Sequence, residues 1–269
     1  MSKIVIPTGD FHIGSKGSIT LPEVITDADI PSKKEIIPAN ETQKEIIKIY
    51  ERLCDQYPHP DLLILNGDLV DGRNYKESGL GLWSSDVEVQ AKVFAELISW
   101  LKPRKIIGTS GSPYHSDKNP NMDATAIEKC RTLGRKKGIF RQGYVSANVN
   151  GCRMHARHKI TVSKSTWQYR ATPLGKARVL SVLAEDKYGI YKLLFHSHAH
   201  YFMYVGDSSG LSMVLPCWKV YDPFVDTFVE FNDPAIGYVA FEIENDGTFH
   251  FDFDITHFKQ SDLNPDVII

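Results

Sequence analysis

The sequence predicts an α/β layered sandwich, in which two packed β-sheets carry helices on their outer faces. Three observations support this prediction. Short apolar runs alternate with helical patterns in the first half of the chain, the last part is rich in strands, and neither a repeat nor a domain boundary interrupts the pattern. Because 269 residues suit one large α/β domain, we expect a single domain over residues 1–269.

The first half alternates strands with helices. Apolar runs at residues 4–7, 62–65 and 106–107 predict three strands. Asn40 and Gln43 form a capping-box pair at the start of the first helix, and Ser85 with Glu88 begins the second. A third helix is predicted at about residues 123–133. Residues 15–39 are polar, contain three prolines and have no clear period, so we expect a surface insertion there.

The second half contains more strands than helices. Residues 152–158 predict a strand, and Thr172 with Pro173 predict the N-cap and first turn of a helix that continues to residue 184. A buried strand follows at residues 191–195. Three further strands are predicted at residues 211–216, 237–243 and 248–253, and the turn at residues 245–247 predicts a hairpin between the last two.

Composition limits the classes of function and partner. The net charge of −2 gives no overall field that would recruit nucleic acid or a membrane, so such binding would need a local patch. The four cysteines are far apart and contain no CxxC zinc motif, which predicts reduced thiols. The chain begins without a hydrophobic signal region and has no apolar run of membrane length. We therefore expect a soluble cytoplasmic protein that does not bind membranes.

Three histidines follow the apolar run at residues 191–195. His196, His198 and His200 alternate along the chain, so all three imidazoles would face one side if the strand continued. Metal coordination is the commonest reason for such a cluster, and the alternative is a polar loop that contains histidines by chance.

Polar clusters also follow the other predicted strands. Because ligands collect at the carboxyl ends of strands in α/β sheets, five such clusters in chain order predict one shared site. The clusters are Asp10 and His12; Asp68 and Asp71; Ser112 and His115; His158; and His198 and His200. His155 lies three residues before His158 and would point to the opposite face, so we expect a structural role for it.

These residues occur in motifs that resemble those of the calcineurin-like metallophosphoesterase superfamily. The matches are the D-x-H motif at Asp10, G-D-x-x-D at Gly67, the lone His158 and the paired histidines His198 and His200. The resemblance covers residues 4 to about 253. It implies a four-layer α/β/β/α sandwich of two mixed sheets flanked by helices. The third motif is a variant that is similar to the phage- and prophage-type branch.

The resemblance implies a site with two divalent metal ions. Asp10, His12 and His200 would bind the first ion, His158 and His198 the second, and Asp68 would bridge both. Mn²⁺ is favoured, although Zn²⁺ and iron accept the same mixed donor set. The residual positive charge of such a site would favour a phosphate group.

Two positions depart from the family motifs. Ser112 stands where the family has an asparagine ligand, and His115 lies two residues farther along than the histidine that assists the leaving group. We interpret His115 as the catalytic acid, with a role as a substitute metal ligand as the alternative, and Ser112 as a supporting group or a poorer ligand than asparagine. We expect Asp71 and His196 to support the ligands rather than to bind metal.

The predicted function is metal-dependent hydrolysis of a phosphoester, in which Asp68 and His115 are the catalytic residues. Basic residues after the fourth motif, among them Arg157, Lys159 and Arg170, lie near aromatic residues and favour a nuclease or phosphodiesterase that acts on DNA. The near-neutral net charge favours a phosphatase or phosphodiesterase for small molecules or nucleotides instead. A non-catalytic metal-binding scaffold on the same fold is a further alternative.

Overall fold

A computed structural model describes residues 1–26, 35–74, 79, 81–113, 121–134, 138–160, 169–220 and 233–258. Two β-sheets stack face to face, and helices cover the outer face of each sheet, so the predicted four-layer α/β/β/α sandwich is confirmed. Among the described residues, no helix is both long enough and apolar enough to cross a membrane.

The strands form two large sheets and one small hairpin. Sheet 1 has the order β13-β12-β1-β4-β5-β6, sheet 2 has the order β10-β11-β9-β8-β7, and β2 pairs only with β3. In chain order the strands are β1 (Lys3–Thr8), β2 (Glu23–Thr26), β3 (Glu35–Pro38), β4 (Leu62–Asn66), β5 (Ile106–Thr109), β6 (Gly138–Arg141), β7 (Val145–Val149), β8 (Cys152–Ala156), β9 (Leu193–His196), β10 (Met203–Asp207), β11 (Gly210–Val214), β12 (Ala235–Ile243) and β13 (Phe249–His257).

Within the described residues, five helices lie outside these sheets or connect their strands. The helices are α1 (Glu41–Gln56), α2 (Val87–Leu101), α3 (Asn121–Gly134), α4 (Thr172–Leu183) and α5 (Glu185–Tyr188). Three hydrophobic clusters separate the four layers: one between sheet 1 and helices α1 to α3, one between the two sheets, and a smaller one between sheet 2 and α4.

Parallel pairing in both sheets aligns the strand ends that carry the polar clusters. In sheet 1, β1 pairs parallel with β4, which pairs parallel with β5. In sheet 2, β8 pairs parallel with β9. The carboxyl ends of β1, β4 and β5 therefore lie at one edge of sheet 1, and those of β8 and β9 lie at one edge of sheet 2.

The start of α1 agrees with the sequence prediction, whereas the starts of α2 and α4 differ from it. The capping box of α1 is confirmed, since the Asn40 side chain accepts the N–H of Gln43 and the Gln43 side chain accepts the N–H of Asn40. The N-cap of α2 is Asp86, one residue beyond the predicted Ser85, because the Asp86 carboxylate accepts the N–H of Glu88. Thr172 is not an N-cap but the first residue of α4, which follows Ala171 without a side-chain cap.

The stretch at residues 15–39 is only partly at the surface. Its first part is buried, and Ser18 and Ile19 are inaccessible to solvent. Gln43 of α1 donates hydrogen bonds from its side chain to the carbonyls of Ser15 and Ser18, which ties this part to the body of the domain. The later part contributes the β2–β3 hairpin, and residues 27–34 lie outside the described residues.

Candidate metal centre

Six side chains that the sequence singles out meet in two adjacent groups. One group contains Asp10, His12 and His200, and the other contains Asp68, His158 and His198. Within each group, one potential ligand atom per residue lies within 4.8 Å of the others. The first group joins the end of β1 to the loop after β9, and the second joins the ends of β4, β8 and β9. Both groups therefore span the two sheets.

Asp10 lies between the two groups. Its Oδ1 is 3.7 Å from Nε2 of His200 and 3.8 Å from Nε2 of His12 in the first group. The same oxygen is 3.9 Å from Nδ1 of His158 in the second group. Its Oδ2 accepts the backbone N–H of His198 at 2.8 Å, which fixes the orientation of the carboxylate.

Hydrogen bonds outside the groups orient two of the imidazoles. His12 Nδ1 lies 3.0 Å from Oδ1 of Asp71, and His158 Nδ1 lies 2.7 Å from the carbonyl oxygen of Asn66. Because a carbonyl and a carboxylate can only accept, each Nδ1 carries a proton and donates it. The Nε2 atom of each ring is then the nitrogen available to a metal ion, which is the usual arrangement for a metal-binding histidine.

Donor atoms face one another where a cation would fit. Nε2 of His12 lies 3.1 Å from Nε2 of His200, and Nε2 of His158 lies 3.0 Å from Oδ2 of Asp68. Oδ1 of Asp10 and Nε2 of His158 are buried and make no well-formed hydrogen bond. Closely spaced lone pairs repel unless a proton or a metal ion lies among them. The donor set and its geometry therefore fit divalent metal ions.

Five of the six residues have a strained backbone. Asp10, His12 and Asp68 have φ values of 51°, 49° and 51°, and His198 and His200 have values of 72° and 58°. This left-handed region is unfavourable for residues other than glycine, and such strain clusters at functional sites. It also explains one wrong prediction: the chain is not extended after β9, so His196, His198 and His200 do not share one face.

Burial and charge shift the pKa values of these groups in opposite directions. Burial alone would raise the pKa of Asp10, but His200, His158 and His12 hold it at about 2. Burial alone would lower the pKa of His158, but Asp68 and Asp10 raise it to about 9. Burial, together with His158, lowers the pKa of His198 to about 4. The metal-free site therefore holds an ionised Asp10 and a neutral His198, whereas His158 carries a proton that a metal ion would have to displace.

Comparisons with known proteins give structural likeness and little sequence similarity. No family model and no curated protein matches the chain. An archaeal phosphodiesterase aligns over 93% of this chain and 99% of its own, with 12% identity and a TM-score of 0.46. Vps29 from Entamoeba histolytica in complex with zinc aligns over 94% and 98%, with 10% identity and a TM-score of 0.43. A predicted phosphoesterase from Streptococcus pneumoniae aligns over 94% and 89%, with 14% identity and a TM-score of 0.39.

Likeness at this level carries no functional conclusion for this chain.

Several residues outside the six ligand candidates were assigned supporting roles from the sequence. Asp71 contacts His12 as described above. Ser112 donates its backbone N–H to Oδ1 of Asp68 at 2.7 Å, and its hydroxyl lies 3.1 Å from Oδ2 of the same residue. Ser112 is thus held against a candidate ligand. His115 lies outside the described residues, so its predicted role as the acid stays a prediction.

Both ring nitrogens of His196 are buried and make no hydrogen bond among the described residues, so its predicted supporting role stays a prediction. His196 ends β9 on the face opposite to Phe195, whose side chain packs between the two sheets. Burial, followed by the charge of His155, lowers the pKa of His196 to about 4. His155 itself stacks on Tyr144, at a centroid distance of 5.0 Å, and lies away from both ligand groups.

The predicted basic residues lie around the site. Arg157 and Lys159 flank His158 and are exposed, whereas Arg170 packs its guanidinium over the ring of Tyr201, 4.9 Å from the centroid. Tyr201 directly follows His200. All three basic residues are therefore close along the chain to ligand candidates or packed on a neighbour of one.

Three further residues were not identified from the sequence. Asn66 orients His158 through its carbonyl and donates from its side chain to Ser197. Asp123 accepts the backbone N–H groups of Leu69 and Gly111. Lys219 is buried, and its Nζ lies 3.5 Å from Oδ2 of Asp71. Only Asn66 had a local signal, its position directly before Gly67 and Asp68.

Proposed function

We propose that this protein is a metal-dependent phosphoesterase with two divalent metal ions. The observation that carries the proposal is the pair of adjacent donor groups, whose buried and oriented nitrogen and carboxylate atoms converge. Asp10, His12 and His200 would bind one ion, and His158 and His198 the other. Asp68 is proposed to bridge them. Mn²⁺ is the favoured ion, and Zn²⁺ and iron accept the same donors.

The metals and the protein would contribute different parts of the chemistry. When bound, the ions would activate water and offset the negative charge that develops on phosphate oxygens. Asp71 and the Asn66 carbonyl keep His12 and His158 in the tautomer that leaves Nε2 free for a metal. Ser112 holds the Asp68 carboxylate in place. His115 is proposed to donate a proton to the departing oxygen.

The primary test is hydrolysis of bis- and mono-nitrophenyl phosphate with added manganese. We expect turnover by the wild type and its loss in Asp68→Ala and His198→Ala. His257→Ala is the matched control, since His257 is exposed on β13 and its ring lies 3.0 Å from the Asp233 carboxylate. No turnover by the wild type, or full turnover by Asp68→Ala, would contradict the proposal.

The metal content separates an enzyme from a scaffold. We expect mass spectrometry of the purified protein under native conditions to find two divalent ions per chain, and fewer in His158→Ala. A protein that binds no metal would favour the scaffold alternative, and one that binds metal without turnover would favour a scaffold with structural ions.

We propose nucleic acid as the substrate class because aromatic and basic side chains line the partly exposed face of β8, the strand that leads to His158. Tyr144 is 47% exposed and stacks on His155, and Arg153 lies over the ring of Tyr191 at 4.8 Å. Arg157 continues this row toward the site. Aromatic rings bind unpaired bases by stacking, and arginines bind phosphates, so the face suits a single strand of DNA.

A binding assay tests this substrate class separately from the reaction. Fluorescence anisotropy with single-stranded and double-stranded DNA, in the absence of metal, should show tighter binding of the single strand and weaker binding by Tyr144→Ala and Arg157→Ala. Equal binding by these variants, together with turnover of nucleotides but not of DNA, would favour the small-molecule alternative.

Three broader predictions remain proposals. The similarity to the phage- and prophage-type branch depends on the variant third motif alone, and the structures named above include no phage protein. A single domain over residues 1–269 is proposed from the continuous pattern of the chain. A cytoplasmic location is proposed from the four cysteines, none of which forms a disulfide bond.

A further inference from the structure

Lys219 is a buried lysine beside the first ligand group. It is 2% exposed, and its Nζ lies 3.5 Å from Oδ2 of Asp71, which is 1% exposed. Lysine is almost never fully buried unless it is paired, because removing an ammonium group from water is unfavourable. Buried ion pairs often stabilise a fold no more than well-packed apolar side chains of similar volume. This pair is therefore better explained by a role at the site than by stability.

The Asp71 carboxylate connects Lys219 to a candidate metal ligand. Its Oδ2 faces the ammonium of Lys219, whereas its Oδ1 accepts the Nδ1 proton of His12 at 3.0 Å. Nε2 of His12 belongs to the first ligand group and lies 3.1 Å from Nε2 of His200. Ammonium, carboxylate and imidazole thus form one series of contacts that ends at the position of the first metal ion.

Backbone hydrogen bonds hold Lys219 against the loop that follows β1. On one side of Lys219, the N–H of Trp218 donates to the carbonyl of Asp10 at 3.0 Å. On the other side, the N–H of Val220 donates to the carbonyl of Gly17 at 2.9 Å. Both neighbours of Lys219 are therefore bonded to the loop that carries the first ligands. The backbone of the lysine is fixed on both sides, so its ammonium has a defined position beside the carboxylate.

We infer that Lys219 is a positioning residue for the first metal ion, an inference that rests on the two-metal site proposed above. Lys219 balances the charge of Asp71 and fixes its carboxylate, which in turn holds the His12 ring with Nε2 directed into the first group. Replacing a group that orients a metal-binding imidazole typically lowers metal affinity by about 10- to 100-fold. Because Lys219 acts through Asp71, we expect its replacement to have an effect at the lower end of this range, about tenfold.

Calorimetric titration with Mn²⁺ can measure the affinity of each ligand group separately. His158→Ala leaves the first group complete, and His200→Ala leaves the second group complete. Lys219→Met should weaken Mn²⁺ binding about tenfold in the His158→Ala protein and leave it unchanged in the His200→Ala protein. A general disturbance of the fold would weaken both groups, so a loss confined to the first group is specific to positioning.

A double-mutant comparison shows whether Lys219 acts through Asp71. Asp71→Asn removes the negative charge but keeps an oxygen that can accept the His12 proton. In the Asp71→Asn protein, Lys219→Met should cause little further loss of Mn²⁺ affinity, because the carboxylate that the lysine fixes is already absent. The double variant leaves no unpaired charge from this pair inside the protein, so the comparison stands even where Lys219→Met alone is too unstable to purify.

Lys192→Met is the matched control. Lys192 directly precedes β9, and its Nζ donates to the carbonyl of Gly247 at 3.0 Å, so Mn²⁺ binding should be unchanged without it. Equal weakening of both groups by Lys219→Met, unchanged binding to the first group, or additive losses in the double variant would each overturn the inference while the wild type still binds two Mn²⁺ ions. A wild type that binds no Mn²⁺ would overturn the proposed two-metal site and this inference with it.

Discussion

Several residues at the site adopt an unfavourable backbone conformation that places their side chains in the ligand groups. His198 has a φ of 72°, and it lies in a turn that directs its ring toward His158 at a centroid distance of 5.3 Å. Asp10 and Asp68 have φ values near 51° in the equivalent turns after β1 and β4. Left-handed backbone costs a residue with a side chain about 1–2 kcal/mol. Several neighbouring residues carry this conformational cost, which the free energy of metal binding would offset.

The strain at His198 predicts an unusual order of stability. In the metal-free protein, His198→Gly should be more stable than His198→Ala by about 1 kcal/mol, because glycine adopts a positive φ without a steric penalty. Urea unfolding in the presence of a chelator measures the difference. Lys92 is the control: in the middle of α2, glycine should be less stable than alanine. If the alanine variant is more stable than the glycine variant at both positions, the backbone of His198 is not strained.

His155 predicts a pH dependence of stability that is independent of the metal site. Its ring lies against Tyr144 and Tyr191, and burial, followed by Arg157, lowers its pKa below 6.5. As the pH falls below 6.5, the unfolded chain takes up a proton before the folded one does. The folded state therefore loses the contribution of His155 to stability, and this contribution is fully present at higher pH.

The substitution His155→Phe should remove this contribution while keeping the aromatic contacts. We expect the stability of the wild type to fall, relative to His155→Phe, by less than about 1 kcal/mol as the pH drops below 6.5. Urea titrations above and below that pH, on chelator-treated protein, measure the difference. Parallel pH profiles for the two proteins would show that folding does not shift the pKa of His155.

At the scale of elements, the start of α3 connects two loops that carry site residues. One carboxylate oxygen of Asp123 accepts the N–H of Leu69 at 2.8 Å, and the other accepts the N–H of Gly111 at 2.7 Å. Leu69 follows Asp68, and Gly111 precedes Ser112. Burial, followed by repulsion from Asp68, raises the pKa of Asp123 to about 6. A buried acid is retained here because it ties α3 to the ends of β4 and β5.

Replacing this carboxylate should weaken metal binding through the loops. Asp123→Asn presents an amide N–H₂ to one of two backbone N–H donors, so one hydrogen bond is lost and Asp68 is held less firmly. We expect metal affinity to fall by about 10- to 100-fold, as measured by calorimetry. Asp86→Ala removes the N-cap of α2 and should cost about 1 kcal/mol of stability without changing metal affinity. Unchanged affinity in Asp123→Asn would show that α3 does not position the site.

The sequence predicted the elements better than their ends and their side-chain contacts. The capping box at Asn40 was found because both partners lie within one turn of the helix. The α2 cap was misplaced by one residue because Ser85 and Asp86 are both good caps, and only the backbone geometry distinguishes them. Asp123 and Lys219 were missed because their partners are distant in the chain and no local pattern marks a buried charge.

At the scale of the whole molecule, the site is located where the two sheets meet. The predicted fold and the predicted strand-end clusters are sufficient to bring the six ligand candidates together, because parallel strands end at a common edge. The turns after β9 were not predictable from alternation, since the three histidines leave the strand through left-handed residues. Sequence periodicity gives the direction of a strand but not the path of the chain after it ends.

Metal binding at this junction should stabilise the entire domain. Each ligand group takes residues from both sheets, and a metal ion that binds only the folded chain shifts the equilibrium by mass action. At a free metal concentration about a thousand times the dissociation constant, one site contributes about 4 kcal/mol. For a domain of this size that corresponds to an increase in Tm of roughly 8–16 °C.

Differential scanning calorimetry with manganese, and with a chelator in its place, measures this increase in Tm. The shift should shrink in His158→Ala and in His200→Ala, because each variant leaves one group incomplete, and it should be retained in His257→Ala. A smaller shift in both single variants, and none in the double variant, would indicate two sites that bind independently. The same Tm for the wild type in manganese and in chelator would mean that the converging donor atoms do not bind this ion in the folded protein.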